Sequence, residues 1–238
     1  MVVFPGVDWQ KVKAVIFDVD GTLYAQDKLR GKLLTDLLAY YALRPWRLRE
    51  LLLLRRFRAE REKRAGGHFA GLEQAQYAWC VGSDPVALAQ LRRVVNHWMF
   101  QHPNQYLPAC TYPGTTSFFN ALRQRGIKIG IYSDYPAQAK LAAMHLSADA
   151  VVSSTDPEVD RLKPDPQGLR HVTQLLGLTP AECLFIGDRP ELDGACAEQA
   201  GMPCLIVEKQ AFQHFTFYQD LEQQLAAQPN SSVLYQAT

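Results

Sequence analysis

The chain has 238 residues and a mass of 26.8 kDa, which suits one domain of ordinary size, or a larger one carrying a smaller insert. Hydrophobic residues make up 47% and charged residues 21%, so a packed core can form and wholesale disorder is excluded. The 25 Lys+Arg and 24 Asp+Glu leave a formal net charge of +1, which gives no case for a nucleic-acid binder. The five cysteines (Cys80, Cys110, Cys183, Cys196 and Cys204) form no close pair and no CxxC, against both a disulfide framework and a zinc site. Cys183, Cys196 and Cys204 sit among apolar neighbours and read as small buried thiols. The opening MVVFPGVDWQKVK has no long apolar run, so neither a secretory signal nor a membrane span is expected, and a cytoplasmic location follows.

The first strong element is AVIFDVDGTL at 14–23. Its consecutive apolar residues predict a strand covered on both faces, as in a parallel sheet, and Gly21 breaks it. From 24 to 110 the character is helical. Leu29, Leu33, Leu34, Leu37, Leu38 and Tyr41 recur at helical spacing. Pro45 is placed for the first turn of a second helix, which should stop by Gly66-Gly67. A third helix is predicted over 72–80, and a fourth from Asp84-Pro85 to about Met99, together a small bundle. After Pro108 the pattern alternates: a turn and helix ending at Gly126, the strand KIGIYSD, a helix over 136–146 and the strand AVVSS. A helix from Asp165-Pro166 to Gly177, the strand CLFIGD, a helix over 191–200 and the strand PCLIV complete it. This is the signature of βαβ units. A helix over 212–226 and a weakly ordered end, QPNSSVLYQAT, are expected to follow. The fold class is therefore α/β: a Rossmann-like open parallel sheet with helices on both faces. The core is 1–23 and 111–238, and 24–110 is a helical-bundle cap inserted after the first strand.

Acids fall at the strand ends. Asp18 and Asp20 follow the first strand, Ser133 and Asp134 the second, and Asp188 follows CLFIG with Asp193 five residues on. Ligands of an open parallel sheet bind beyond the carboxyl ends of its strands, so adjacency of these strands would gather at least three carboxylates. Such a cluster repels itself unless a cation or proton sits within it, and its oxygen donors suit a hard ion such as Mg²⁺. Lys163, in the loop RLKPDP, can neutralise a carboxylate and a phosphoryl oxygen together, and Ser133 can donate to the same oxygen. Gly21 frees the chain to turn tightly and point backbone amides at an anion. Side-chain alternation along an extended strand points Asp18 and Asp20 the same way. A like-charged neighbour should then raise the pKa of the acid that must keep its proton.

These residues resemble the motifs of the haloacid-dehalogenase-like (HAD) superfamily of phosphatases. DVDGTL at 18–23 is similar to its first motif, Ser133 in IYSD to its second, Lys163-Pro164 to its third and GDRPELD at 187–193 to its fourth. The order and approximate spacing agree across 14–207, and the insert position resembles the helical (C1-type) cap of the phosphoglycolate-phosphatase-like and nucleotidase-like members. The resemblance implies Asp18 as nucleophile, forming an aspartyl-phosphate, and Asp20 as general acid and base. It implies Mg²⁺ held by Asp18, the backbone carbonyl of Asp20 and Asp188, with Asp193 as a further metal-site or water-binding acid. Ser133, the backbone amide of Asp134 and Lys163 would hold the phosphate, and Thr22 would help fix the loop. Asp134 departs from the small or amide residue of many relatives.

Three segments are not absorbed by these motifs. Residues 44–64 hold nine basic residues against three acidic ones. They read as a lid drawing in anions, a docking surface, or a solvated helix face with arginine stems covering leucines. Gly66-Gly67-His68-Phe69 is either a cap loop that touches substrate or a plain turn. Tyr77, Trp79, Trp98 and Phe100 are expected in the cap core, and Tyr24 at the cap hinge. The function implied is a magnesium-dependent phosphomonoester hydrolase of a small soluble phosphorylated metabolite. Asp20 speaks against a dehalogenase. A sugar phosphomutase using the same two aspartates and a non-catalytic binding module remain as alternatives. The partners expected are that substrate, with no nucleic acid and no membrane, in a monomer or homodimer.

Overall fold

A computed structural model describes residues 6–228. The sequence-based expectation of a weakly ordered end from Pro229 onward lies outside the described residues, as do the first five residues of the opening segment. Among the described residues, no helix is long and apolar enough to cross a membrane.

Five short strands form one fully parallel sheet in the order β3-β2-β1-β4-β5. They are β1 Ala14–Phe17, β2 Lys128–Ser133, β3 Ala150–Ser153, β4 Cys183–Gly187 and β5 Cys204–Ile206. Alternation along β1 divides the core in two. Val15 and Phe17 face a layer with Phe118, Phe119 and Leu122 of α6 (Thr115–Gln124) and Tyr218 and Leu221 of α10 (Phe217–Ala227). Ala14 and Ile16 face the opposite layer, with Leu169, Val172 and Leu176 of α8 (Gln167–Leu176) and Cys196 and Ala197 of α9 (Ala195–Ala200). Both faces of β1 are buried, as its unbroken apolar run predicts. All five cysteines are free, and Cys204 is half-buried where the other four are buried.

Between β1 and β2 the chain builds a helical bundle. It comprises α1 (Gln26–Ala42), α2 (Arg49–Glu62), α3 (Leu72–Val81), α4 (Pro85–Val95) and a single turn α5 (Leu107–Cys110). Asp84 caps α4, its carboxylate accepting the Ala87 amide at 2.8 Å ahead of Pro85. The bundle has its own core of Tyr41, Phe57, Tyr77, Cys80, Leu91, Val95 and Trp98. Trp79 is not part of it: half-buried, it packs on Phe69 with the Arg64 guanidinium 4.6 Å from its ring.

Several predicted helices are shorter or split. Pro45 opens a separate 3-10 turn, Pro45–Arg47, because a proline ring cannot continue a helix from Arg44. The expected helix over 136–146 is only α7 (Gln138–Ala143), and the one over 191–200 begins as a π turn, Pro190–Gly194. The helix expected to reach Met99 widens into a π turn at Asn96–Gln101.

Candidate active site

The three central strands, β2, β1 and β4, are neighbours, and their carboxyl ends lie level, with Phe17 paired to Ile131 and Ile186. Residues just beyond them therefore meet. Asp18 leaves β1, Ser133 ends β2, Asp188 leaves β4, and Lys163 arrives on the loop after β3. Lys163 Nζ, with its side chain wholly buried, donates to Asp18 Oδ1 at 2.7 Å and to Asp193 Oδ1 at 2.8 Å. Thr22 Oγ1 donates to Asp18 Oδ2 at 3.1 Å, so Thr22 fixes the acid side chain itself. The other oxygen of Asp193 accepts the amides of Asp188 (3.1 Å) and Arg189 (3.0 Å), which ties the turn after β4.

Two glycines permit this closeness. Gly21 has φ +100°, and a Cβ there would run into the Asp188 carboxylate. A Cβ on Gly187 would overlap the Asp193 side chain.

One carboxylate oxygen of each of Asp18, Asp188 and Asp193 lies within 4.8 Å of the others. Asp188 Oδ1 is buried with no hydrogen-bond partner among the described residues. An orphaned anionic oxygen facing two more carboxylates costs several kcal/mol unless something positive meets it. All-oxygen donors of this charge fit Mg²⁺. The electrostatics agree. Burial, only partly opposed by Lys163 and reinforced by Asp193, Asp188 and Asp20, pushes the Asp18 carboxyl up to about 7. Burial and the adjacent Asp193 push Asp188 up to about 6. Burial also acts on Asp193, but Lys163 and the Arg189 amide hold it below the usual range. Burial opposes the charge on Lys163, yet Asp18 and Asp193 keep it well above its ordinary value.

Asp20 corrects one expectation. Its neighbouring acid was expected to raise its pKa. Burial pushes it up, but the Lys140 ammonium and the Tyr24 hydroxyl, with Lys163 behind them, outweigh burial and hold the carboxyl low. Lys140 Nζ lies 2.5 Å from Asp20 Oδ1, and Tyr24 Oη donates to that same oxygen. Tyr24 is buried at the cap junction, where it pairs with Thr111.

Ser133 is buried beside the cluster, its Oγ accepting the Tyr135 amide at 3.3 Å. The Asp134 carboxylate does not confront a phosphate as a bare charge: Arg189 Nη2 meets it at 2.8 Å and Ser154 Oγ at 3.1 Å. Arg61, within the basic stretch that the sequence leaves open among a lid, a docking surface and a solvated face, is buried. It donates to the Asp134 carbonyl at 2.6 Å and to Gln76, with its guanidinium over the Tyr135 ring. The Gly66–Phe69 segment packs on the Lys163 loop, through Gly66 N to Lys163 O (3.0 Å) and a His68–Arg161 bridge. It does not line the cavity.

That cavity, about 660 Å³, opens over the cluster between core and cap. Its floor includes Asp18, Asp20, Ser133, Lys163 and Asp188, and its cap wall includes Arg58, Arg61, Met99 and Phe100. The size suits a small metabolite. Sequence reading missed Lys140, Arg61 and Arg189. Only Arg189 carried a usable signal, its place inside GDRPELD.

The haloacid dehalogenase-like hydrolase family matches residues 12–201, and the chain belongs to that family. It is 32% identical over 206 residues to a phosphoglycolate phosphatase of Rhodospirillum rubrum, covering 82% of this chain and 79% of that one. It is 25% identical to a glyceraldehyde 3-phosphate phosphatase of Methanopyrus kandleri, covering 85% and 86%. Among solved structures, a HAD phosphatase from Thermococcus onnurineus superposes with a TM-score of 0.58 at 23% identity, covering 84% and 90%, which speaks to the fold. The aspartate cluster and these relationships make the chain an enzyme, a phosphatase of small phosphorylated substrates.

Proposed function

We propose that the chain hydrolyses phosphomonoesters in two displacements at one phosphorus, with Asp18 as nucleophile and Asp20 as general acid and base. An oxygen of Asp18 attacks phosphorus, the bond to the leaving oxygen breaks, and that oxygen takes the proton that Asp20 carries, leaving Asp20 as the carboxylate. Water then attacks the aspartyl-phosphate, Asp20 takes its proton, and the acyl–phosphate bond breaks to restore the Asp18 carboxylate and free phosphate. Ser133, the Asp134 amide and Lys163 hold the phosphoryl oxygens, and Thr22 keeps Asp18 aimed. Asp18, Asp188 and the backbone carbonyl of Asp20 would hold Mg²⁺, with Asp193 closing the cluster behind them through Lys163 and the 188–189 turn. When bound, the ion supplies positive charge against the carboxylates and the transferring group.

The observation that carries this reading is the buried triad of Asp18, Lys163 and Asp193, closed by Asp188, one of whose carboxylate oxygens is left unpartnered among the described residues. The division into a cap at 24–110 and a core at 1–23 and 111–238 belongs to the same reading. It is supported by Tyr24 pairing with Thr111 where the two connections run side by side. The substrate class follows the named relatives: short phosphorylated acids and sugars that fit under the cap. Five free cysteines support a reducing, cytoplasmic setting. One chain supplies every residue named, so a monomer suffices and a homodimer would carry two independent sites.

The test is phosphate release from a panel of small phosphomonoesters, with Mg²⁺ and with chelator, beside Asp20→Asn. Magnesium-dependent release that the variant loses supports the reading. Isomerised sugar phosphate without free phosphate would make the chain a mutase, and silence across the panel from folded protein would favour a binding module.

A further inference from the structure

Lys140 has no role in the four motifs, yet it reaches the reacting groups. It sits on the short helix α7, whose Leu141 is anchored in the core. Its side chain is only 6% exposed, and its Nζ ends 2.5 Å from Asp20 Oδ1. A buried ammonium so placed is there for its partner, since a lysine in a helix this near the surface loses little by turning outward. Tyr24 Oη, from the cap junction, donates to the same oxygen. No described residue hydrogen-bonds Asp20 Oδ2, and Asp20 lines the cavity. The carboxylate is thus pinned by one oxygen from two directions, one core and one cap, while the other oxygen is left for a ligand.

We propose that Lys140 is a positioning residue for Asp20, holding Oδ1 so that Oδ2 is aimed at the water that cleaves the aspartyl-phosphate. This rests on the two-step reading above. The two donors on Oδ1 hold the carboxylate in a single rotamer, which is what a general base needs. The demand falls on the second displacement: a carboxylate must accept the water's proton as the new P–O bond forms and the bond to Asp18 breaks. The first displacement needs no proton donor when the leaving group is a stable anion. Lys140 therefore acts unequally on the two halves of the reaction with an activated substrate.

The experiment uses the full chain with Mg²⁺ and 4-nitrophenyl phosphate. It reads the nitrophenolate burst by stopped flow, the steady-state rate, and phosphoenzyme by acid quench. Lys140→Met should keep the burst rate while the steady state falls ~10²-fold, the scale of a misaimed catalytic group, and phosphoenzyme should accumulate. Lys140→Arg should restore much of the turnover. Tyr24→Phe, a mild change that removes the second donor to the same oxygen, should shift the balance in the same direction and provides a second probe should Lys140→Met fold poorly. An equal loss of burst and steady state in Lys140→Met and Tyr24→Phe, or a rise in KM alone, overturns the proposal and makes Lys140 structural or a substrate contact. Asp20→Asn is the separate control. If it turns over normally without accumulating phosphoenzyme, the assignment of Asp20 itself fails. If it accumulates phosphoenzyme and Lys140→Met does not, only the role of Lys140 fails.

Discussion

Replacing Lys163 with methionine separates what the lysine does for the fold from what it does for the reaction. Its ammonium, wholly buried, is the shared donor to Asp18 at 2.7 Å and Asp193 at 2.8 Å. Methionine fills the space but leaves two buried carboxylates unanswered, and breaking a buried ion pair in this way costs ~3–5 kcal/mol. For a domain of this size that corresponds to a melting temperature lower by about 6–20 °C. The cost depends on pH with a definite sign. Asp18 already titrates near 7, above its ordinary value, because burial outweighs the lysine. Without Lys163 it rises further. A carboxyl raised in the folded state favours folding least where the unfolded chain would ionise it, so the deficit grows as pH climbs through and above 7 and shrinks toward pH 5. Thermal unfolding at pH 5 and pH 8, paired with phosphate release, checks this. Lys163→Met/Asp193→Asn should recover part of the stability and none of the activity. A Lys163→Met protein as stable as the parent at pH 8, or one still turning over, would refute the reasoning.

Other outcomes follow from the same geometry. Asp18 and Asp188 titrate near 7 and 6 without metal, so Mg²⁺ must displace protons. Its affinity should rise with pH across 5.5–7.5, by about tenfold per pH unit where one proton is displaced, and calorimetry in buffers of different ionisation heat should register proton release; pH-independent binding would contradict it. Metal-free protein should also lose stability as pH rises from about 4 to 7, because the raised groups bind more protons folded than unfolded, and saturating Mg²⁺ should flatten that slope. Gly21→Ala places a Cβ against Asp188 at a positive φ. It should cost ~1–2 kcal/mol in stability and weaken Mg²⁺ binding, both visible in one titration followed by thermal shift. Arg61→Ala removes a buried guanidinium that ties the cap helix α2 to the Asp134 carbonyl and the Tyr135 ring. Faster amide exchange in α2 and a raised KM are expected, and unchanged exchange there would count against the tie.

Much of this was legible because it is local. The apolar run before Asp18 shows that β1 is covered on both faces, and the leucine run of α1 marks a helix, although it sets no single buried face: Leu29 and Tyr41 are buried while Leu34 and Leu38 stay exposed. What was illegible depends on tertiary placement. Nothing in AQAKLAAM distinguishes a lysine turned inward from one in solvent, because the helix face of Lys140 is set by how α7 docks. Arg61 looked like its solvated neighbours for the same reason: Gln76 and the Asp134 carbonyl that claim it come from other elements. The pKa order of Asp18 and Asp20 was misjudged because their mutual repulsion was visible from sequence and the cation beside Asp20 was not. Trp79 was placed in the cap core by its hydrophobicity, although Phe69 and Arg64 give it a separate half-buried site.

The most direct measurement is to trap the covalent intermediate. Enzyme mixed with substrate and Mg²⁺, acid-quenched, reduced with borohydride and digested, should yield the peptide spanning AVIFDVDGTL with Asp18 converted to homoserine. The conversion should vanish with chelator and in Asp188→Asn. Modification of any other residue, or rapid phosphate release by the parent enzyme while Asp18 is modified neither there nor in Asp20→Asn given 4-nitrophenyl phosphate, would contradict a nucleophilic Asp18.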